Sequence, residues 1–187
     1  MSARFEVVGT PLAGLQLIKR LPIRDERGWF ERMYCADEFA ILMAGSGIAQ
    51  INRTLSAQRG TVRGMHYQTP PHTEAKLVSC LRGAVFDVAV DVRRGSATFL
   101  KWHAVHLSAE NHHSLLIPPG FAHGFQTLED NCELLYLHTA AYTAQAEAAL
   151  NAGDPRLAID WPEPISAQSA RDTAHPFVGR DFQGVGL

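Results

Sequence analysis

Short segments with strand character, separated by turn sequences, constrain the fold of this chain more than any other feature. The segments are rich in β-branched and aromatic residues, and turns such as Arg82-Gly83 and Pro118-Pro119-Gly120 divide them. Strands are predicted over residues 15–19, 48–54, 76–82, 84–92, 99–107, 114–117 and 133–138. A spacing of about ten residues between strands is typical of an antiparallel sandwich or barrel. One short helix is predicted over residues 36–43, where acidic residues precede apolar ones at helical spacing.

The segment 84–92 indicates how deeply these strands are buried. Its even-numbered residues from Phe86 to Val92 fall on one face of a strand, and its odd-numbered residues from Val85 to Asp91 fall on the other. Both faces are largely apolar, so we expect both to be covered. Asp87 lies in the middle of the segment, where a carboxylate must find a partner or line a cavity.

The length of 187 residues suits one domain with a sizeable core, and no repeat, low-complexity tract or linker divides it. Residues 1–187 are therefore predicted to form a single domain. The tail from Asp154 onward is different, because it is rich in Pro, Asp and Ser and lacks a strict period. It is expected either to lie extended across the barrel or to fray.

Charge and cysteine content exclude several classes of function. The formal net charge of −2 provides no basic surface for a nucleic-acid backbone. No run reaches the ~18 apolar residues that span a bilayer, and the N-terminus lacks a cleavage-site pattern, so a cytoplasmic protein that binds no membrane is expected. The three cysteines include no CxxC pair and are expected to be reduced, mostly buried thiols.

Two of the nine histidines lie among glycines, which let the backbone approach a ligand closely. His66 lies in RGMHYQ, and His123 lies in PGFAHG. A strand histidine is more often structural than catalytic, and these two contexts shift that balance without deciding it. His112 and His113 lie in a polar, turn-like segment and are expected to be solvated.

Other polar residues surround His66 in the sequence pattern. Gln50 and Asn52 share one face of a predicted strand, Arg63 precedes His66, and Lys76 follows it. Charged groups in apolar strands are costly unless they are paired or bind something. The alternative interpretation is an exposed sheet edge with solvated charges.

A metal site is a separate hypothesis. It would require His66, His72 and His123 to converge with Glu74. The chain lacks the HxH pair with a nearby glutamate that is typical of a metal-binding cupin barrel. No metal is therefore predicted.

Long motifs of the chain resemble those of one known family. They are RGMHYQTPPHTEAKLVSCLRGAVFDVAVDVRRGSATF, HLSAENHHSLLIPPGFAHGFQTLED, LLYLHTAAY, DPRLAIDWP and SARDTAHP, with RDERGWFER near the start. In this order they closely resemble the dTDP-4-dehydrorhamnose 3,5-epimerase family over nearly the whole chain. The resemblance implies an all-β, double-stranded β-helix or jelly roll, a cupin-like barrel with short peripheral helices. It also implies a homodimer, a nucleotide-sugar substrate, and no metal or organic cofactor.

The resemblance also implies roles for individual residues. His66 corresponds to the general base, Asp172 to its partner, Tyr136 to the acid on the opposite sugar face, and Lys76 to the group that stabilises an enolate oxygen. The implied contacts with the sugar and the diphosphate are Arg27, Gln50, Asn52 and Arg63. Asp87 and His123 are implied to belong to the polar lining of the pocket.

Without the resemblance, three of these residues have structural explanations. Tyr136 shares a strand face with Leu134 and His138, so it is equally consistent with a core tyrosine whose hydroxyl is satisfied. Asp172 would fit a helix cap or a turn in the tail, and Lys76 would fit a surface lysine.

The expected function is epimerisation at C3, C5 or both carbons of a (d)TDP-4-keto-6-deoxyhexose, as in dTDP-L-rhamnose or related deoxysugar biosynthesis. The alternatives are a mono-epimerase for a different nucleotide-linked keto sugar, a non-catalytic cupin that binds sugar nucleotides, and a metal cupin. A homodimer is also expected because a small barrel cannot by itself cover strands that are apolar on both faces.

Four positions depart from the family pattern. Arg32 stands in place of an acidic residue, Leu116 in place of an aromatic one, and Ala141 in place of one tyrosine of a pair. The AALNAGD stretch, which contains Ala152, lacks the usual tryptophan. These departures predict altered stacking on the base and leave open which sugar and which base are used.

Overall fold

Two antiparallel sheets and a hairpin form the protein, which we describe over residues 4–187 of a computed structural model. The six-stranded sheet has the order β1-β2-β10-β7-β12-β5, and the five-stranded sheet has the order β13-β6-β11-β8-β9. The strands are β1 Phe5–Gly9, β2 Gln16–Arg20, β3 Ile23–Asp25, β4 Gly28–Phe30, β5 Gln50–Ser56, β6 Val62–Gln68, β7 Lys76–Arg82, β8 Ala84–Asp91, β9 Trp102–Ser108, β10 His113–Ile117, β11 Phe121–Thr127, β12 Cys132–His138 and β13 Glu147–Ala149. The helices are α1 Ala36–Phe39 and α2 Ala170–Ala174, with a 3₁₀ turn at Ala144–Ala146. None of the helices within residues 4–187 is long and apolar enough to cross a membrane.

The main core lies between the two large sheets. It joins apolar residues of β8 and β11 to residues of β7, β10 and β12 on the facing sheet. The two-residue period of β8 places Val85 and Ala89 in this core, while Val88 and Val90 belong to a second cluster on the outer face. The prediction that both faces of this strand are covered is therefore confirmed.

The tail after Asp154 covers the outer face of the five-stranded sheet. Leu157, Val178 and Val185 pack there against residues of β6 and β8. Asp154 anchors the tail, because its carboxylate accepts hydrogen bonds from the backbone amides of Arg156 and Val178. Of the two possibilities for the tail, the extended segment across the barrel is the one observed.

Helix α1 and the turn after it cover the outer face of the six-stranded sheet. Phe39 and Met43 pack against a cluster that contains Ile18, Leu77 and Leu137. The predicted helix 36–43 is too long, because only 36–39 are helical and turns follow. The chain leaves the helical conformation where Ala44 and Gly45 take positive φ.

The predicted strands are all present, with ends that shift by up to three residues. The strands that were not predicted are β1, β3, β4, β6, β11 and β13. Among them, β6 and β11 carry His66 and His123. Glycines interrupt both segments and weaken the strand pattern, and contacts between the two strands supply the missing stability. All three cysteines are free, and Cys80 and Cys132 are buried, as expected.

The β3–β4 hairpin is tied to the barrel by a buried ion pair. The side chains of Arg20 and Glu31 lie 2.9 Å apart and are almost completely buried. His112 joins them, because its Nδ1 lies 2.7 Å from Glu31 Oε1 and its ring contacts Trp29 edge-on. The prediction that His112 is solvated is wrong, since the hairpin covers a residue that looks exposed in the local sequence.

Candidate active site

An open pocket of about 550 Å³ lies between the two sheets at one end of the barrel. A smaller pocket of about 180 Å³ adjoins it and shares Asn52, His66, Lys76 and His138 with it. The large pocket is lined by Asn52, Thr54, Thr61, Val62, Arg63, His66, Lys76, His123, Phe125, Tyr136, His138, Ala167, Gln168, Ser169, Arg171 and Asp172.

The floor of the pocket depends on a close approach of β6 to β11. His66 and His123 are direct partners across these strands, and the register shifts between His123 and Phe125. A Cβ atom on Gly64 would lie 2.5 Å from Cα of Gly124. Only glycine fits at this contact, and it allows β6 to present His66 to the pocket.

The ring of His66 is held by a residue from the tail. Its Nε2 atom lies 2.8 Å from Oδ1 of Asp172, which is buried on α2. The hydroxyl of Ser169 caps this short helix by accepting a hydrogen bond from the backbone amide of Asp172. A neutral His66 that donates from Nε2 keeps the lone pair of Nδ1 as its basic site.

Burial lowers the pKa of His66, although the hydrogen bond and the charge of Asp172 act in the opposite direction. The imidazole is therefore neutral at pH 7 and able to accept a proton. Burial raises the pKa of Tyr136 strongly. Its phenol keeps its proton at pH 7 and can act as an acid.

Tyr136 faces the pocket from the sheet opposite His66. It lies on β12, and its hydroxyl is 3.4 Å from Oγ1 of Thr54 on β5. Its ring contacts the ring of His123 edge-on and stacks with that of His138, each at 6.1 Å between centroids. The pocket thus brings a histidine from one sheet and a tyrosine from the other to the same space.

Lys76 is buried at the start of β7 and is only 8% exposed. Its Nζ lies 3.3 Å from Oε1 of Glu74 and 3.3 Å from the carbonyl oxygen of His66. An ammonium group has three protons, so one remains for a bound ligand. Lys76 is therefore not a surface lysine.

The predicted lining residues Asp87 and His123 form a buried pair. Nε2 of His123 lies 2.9 Å from Oδ1 of Asp87, which is completely buried. His123 reaches the pocket, whereas Asp87 lies behind it and supports it. The requirement that Asp87 find a partner is met in this way.

The predicted substrate contacts are only partly brought together. Arg63 and Asn52 line the large pocket, and Gln50 lines the small one. Arg27 lies elsewhere, in the turn of the β3–β4 hairpin, where it is exposed and pairs with Asp25. Within one chain, Arg27 is not part of either pocket, and its role as a contact stays a prediction.

The four departures from the family pattern also lie outside the two pockets. Leu116 and Ala152 are buried in the apolar clusters on the outer faces of the sheets. Arg32 forms an ion pair with Glu38, and Ala141 meets Gln68 through its backbone carbonyl. The side chains of Leu116 and Ala152 therefore cannot stack on a ligand in the pocket of their own chain.

Sequence reasoning missed several residues of the site. Glu74 pairs with His138, whose Nδ1 is 2.8 Å from Oε2 of Glu74. At the rim, Glu147 accepts a hydrogen bond from Tyr142 and pairs with Arg171. The two-residue period of β12 could have indicated His138, because that residue shares a strand face with Tyr136. No sequence pattern indicated the contact of Glu147 with Arg171 of the tail.

The residues weighed as metal ligands take separate partners. His66 pairs with Asp172, and Glu74 pairs with His138 and Lys76. Across residues 4–187, no three His, Cys, Asp or Glu side chains are grouped closely enough to hold a metal ion.

Fold and pocket together define a cupin-like barrel with a polar pocket between its sheets. The family model for dTDP-4-dehydrorhamnose 3,5-epimerase matches residues 9–179. The chain is 43% identical over 166 residues to the dTDP-4-dehydrorhamnose 3,5-epimerase of Sinorhizobium fredii, which covers 88% of this chain and 85% of that protein. The chain belongs to the dTDP-4-dehydrorhamnose 3,5-epimerase family.

Two solved structures are similar to this fold. One is dTDP-6-deoxy-D-glucose-3,5-epimerase from Legionella pneumophila in complex with dTDP-4-keto-L-rhamnose, with a TM-score of 0.87, 39% identity and coverage of 92% of each chain. The other is a 3'-monoepimerase from Streptomyces bikiniensis in complex with dTDP-quinovose. It has a TM-score of 0.82 and 34% identity, and the match covers 90% of this chain and 85% of the other.

Proposed function

We propose that this protein is an epimerase of dTDP-linked 4-keto-6-deoxyhexoses that inverts C3, C5 or both by proton transfer. The observation that carries the proposal is the position of His66 and Tyr136, which enter one pocket from opposite sheets. Inversion requires a base on one face of the sugar ring and an acid on the other. Binding alone would require neither, which favours an enzyme over a binding module.

Each step of the proposed reaction has a residue to perform it. Neutral His66 removes the proton from the carbon next to the ketone, and the electron pair moves to the keto oxygen. The free proton of Lys76 stabilises the resulting enolate. Tyr136 then protonates the carbon from the opposite face, and exchange with solvent restores both side chains.

Asp172 is proposed to orient the imidazole and to stabilise its protonated form. The carboxylate raises the pKa of His66 against the effect of burial. Because the pair is part-buried, the interaction is screened less than it would be at the surface. A neutral amide at position 172 would keep much of the shape and lose the charge.

The remaining polar residues are proposed to bind the substrate. Arg63, Gln50 and Asn52 supply N–H groups at the mouth of the two pockets, where an anionic diphosphate can be bound. His123, supported by Asp87, is proposed to line the sugar site.

Epimerisation at one carbon is the second candidate. It is favoured by the likeness to the Streptomyces bikiniensis protein, which is a 3'-monoepimerase. The two candidates share the pocket and differ only in which carbon reaches His66.

One experiment tests the proposed function and separates these candidates. The protein is incubated with dTDP-4-keto-6-deoxyglucose in D₂O, and NMR follows deuterium at C3 and C5 together with the configuration of the product. Deuterium and inversion at both carbons would identify a 3,5-epimerase, and inversion at one carbon would identify a mono-epimerase. No exchange at either carbon would contradict the proposal.

We also propose a homodimer, on evidence that differs from the original expectation. The tail and α1 cover the outer faces of the sheets, so uncovered faces no longer support it. The support is instead the edge strand β5 with exposed Ile51 and Leu55, and the hairpin with exposed Trp29 and Phe30. An exposed apolar sheet edge favours pairing with a second copy.

A further inference from the structure

A network of three hydrogen bonds and one ion pair runs along the wall of the two pockets, from Gln50 to Lys76. Nε2 of Gln50 lies 3.1 Å from Oδ1 of Asn52, and Nδ2 of Asn52 lies 3.4 Å from Nε2 of His138. Nδ1 of His138 lies 2.8 Å from Oε2 of Glu74. The other carboxylate oxygen of Glu74 lies 3.3 Å from Nζ of Lys76.

The contacts at the two ends of this network determine which group donates and which accepts in each hydrogen bond. The backbone amide of Tyr142 donates to Oε1 of Gln50 at 3.0 Å, so the NH₂ group of Gln50 faces Asn52. Asn52 then accepts at its oxygen and donates from its nitrogen to His138. At the other end the carboxylate of Glu74 only accepts, so His138 donates from Nδ1 and accepts at Nε2.

The backbone explains why these side chains meet. His138 is the direct partner of Lys76 on β7 and of Gln50 on β5. Glu74 lies two residues before Lys76, and its side chain is only 7% exposed. Burial raises the pKa of Glu74, but the hydrogen bond from His138 and the positive charge of Lys76 outweigh this effect, so the pKa is lowered.

We propose that Glu74 and His138 are positioning residues that orient Gln50, Asn52 and Lys76 so that each presents a free N–H to the substrate. Gln50 and Asn52 each use their amide oxygen and one amide proton in these contacts, and Lys76 uses two of its three protons, so each of the three residues keeps at least one proton. These three residues therefore offer N–H donors to a ligand in the two pockets. Such donors suit keto, enolate and phosphate oxygens.

This inference rests on the proposed function, because the substrate oxygens are those of the proposed keto-sugar nucleotide. The inference itself makes a narrower chemical claim, which concerns the two contacts of Glu74. Glu74 has to accept two protons, one from His138 and one from Lys76. Glutamine at position 74 can accept at one atom only, so Glu74→Gln must break one of the two contacts while changing the side-chain volume very little.

The first test compares Glu74→Gln with Glu6→Gln. Glu6 makes a similar contact with Lys19 at 2.9 Å, but it lies on the exposed strand β1, away from the pockets. We expect Glu74→Gln to lower kcat by roughly 10- to 100-fold with a smaller change in KM, since a displacement of about 1 Å of a reacting group costs on the order of 100-fold. Glu6→Gln should match the wild type in both constants.

The second test uses His138 and does not depend on how well Glu74→Gln folds. Glutamine at position 138 can both donate and accept, whereas leucine can do neither. We expect His138→Gln to retain much more of the wild-type kcat than His138→Leu. Equal losses in the two variants would contradict a hydrogen-bonding role.

The third test reads the tautomer directly. Long-range ¹H–¹⁵N correlation spectra of the ¹⁵N-histidine-labelled wild type should show neutral His138 protonated at Nδ1. Protonation at Nε2 would overturn the proposed direction of the network, and so would an unchanged kcat in folded Glu74→Gln. If the wild-type protein exchanges no proton of dTDP-4-keto-6-deoxyglucose, the proposed function and this inference are both wrong. If the wild type does exchange protons, the results on Glu74 and His138 test this inference alone.

Discussion

The carboxylate of Asp172 lies 2.8 Å from Nε2 of His66, although 106 positions separate the two residues. The tail crosses the outer face of the five-stranded sheet and then turns into α2, which inserts Asp172 beside the pocket. The tail is therefore part of the site as well as part of the fold.

Replacing Asp172 with asparagine should reduce turnover and leave substrate binding nearly intact. The imidazole loses its charged partner, while its surroundings keep their shape. We expect kcat to fall by ~10²–10⁴-fold, the range for a disturbed acid–base group. Steady-state kinetics and calorimetric titration with dTDP check the two parts, and an Asp172→Asn variant with wild-type kcat would argue against the pairing.

The acid limb of the pH profile of kcat/KM should reflect the protonation of His66. The base acts only when neutral, and burial lowers its pKa from the ordinary value of 6.5, so activity should persist below pH 6.5 and fall at lower pH. Asp172 raises this pKa, so Asp172→Asn should move the acid limb to still lower pH. A limb that moves to higher pH would contradict this assignment.

Replacing Tyr136 with phenylalanine should separate exchange from inversion. His66 could still remove a proton and return one on its own face, so deuterium would continue to enter from D₂O. Net inversion should fall by roughly 10²–10⁴-fold, because the acid on the opposite face is missing. Inversion by Tyr136→Phe at the wild-type rate, measured by NMR of the product, would assign the acid to another group such as Tyr142.

Replacing Gly64 with alanine should destabilise the barrel and the site together. Gly64 has a φ of +140°, and an added Cβ would lie 2.5 Å from Cα of Gly124. We expect a loss of about 1–3 kcal/mol or more in the free energy of unfolding, as overpacking typically causes. Urea unfolding measures it, and Gly9→Ala is the control because nothing lies within 4 Å of its added Cβ.

Light scattering should give a mass near twice the chain mass of 20.5 kDa. Replacing both Trp29 and Phe30 with serine should weaken the dimer, because these residues form the exposed apolar part of the hairpin. Ile41→Ser is the control, since Ile41 is 91% exposed and lies on the turn after α1. A stable monomer at micromolar concentration would refute the dimer, and an unchanged double variant would refute only this interface.

Local pattern predicted most of the sheets, and it failed where contacts distant in sequence decide the structure. Strand 76–82 was predicted with its observed bounds, because its apolar residues form a run that only Ser79 interrupts. Strands β6 and β11 depend on the glycine contact between them, which no local pattern contains. Helix α2 has only five residues and forms where Ser169 caps it against the barrel.

The residues of the site were also predicted only in part. The resemblance supplied the four proposed catalytic residues, and all four line the large pocket. Glu74 was considered only as a metal ligand and His138 was assigned no role, because a loop glutamate and a strand histidine each look ordinary alone. Their pairing appears only when β7 and β12 lie side by side.

Deuterium exchange by His66→Ala tests the central claim most directly. The variant and the wild type are incubated with dTDP-4-keto-6-deoxyglucose in D₂O, and NMR follows the carbons next to the ketone. His103→Ala is the matched control, because His103 also has a pKa lowered by burial but lies on β9 outside both pockets. If His66 is the base, exchange falls by at least about 10²-fold in His66→Ala and stays at the wild-type rate in His103→Ala. Unchanged exchange in folded His66→Ala would show that the assignment of the site is wrong.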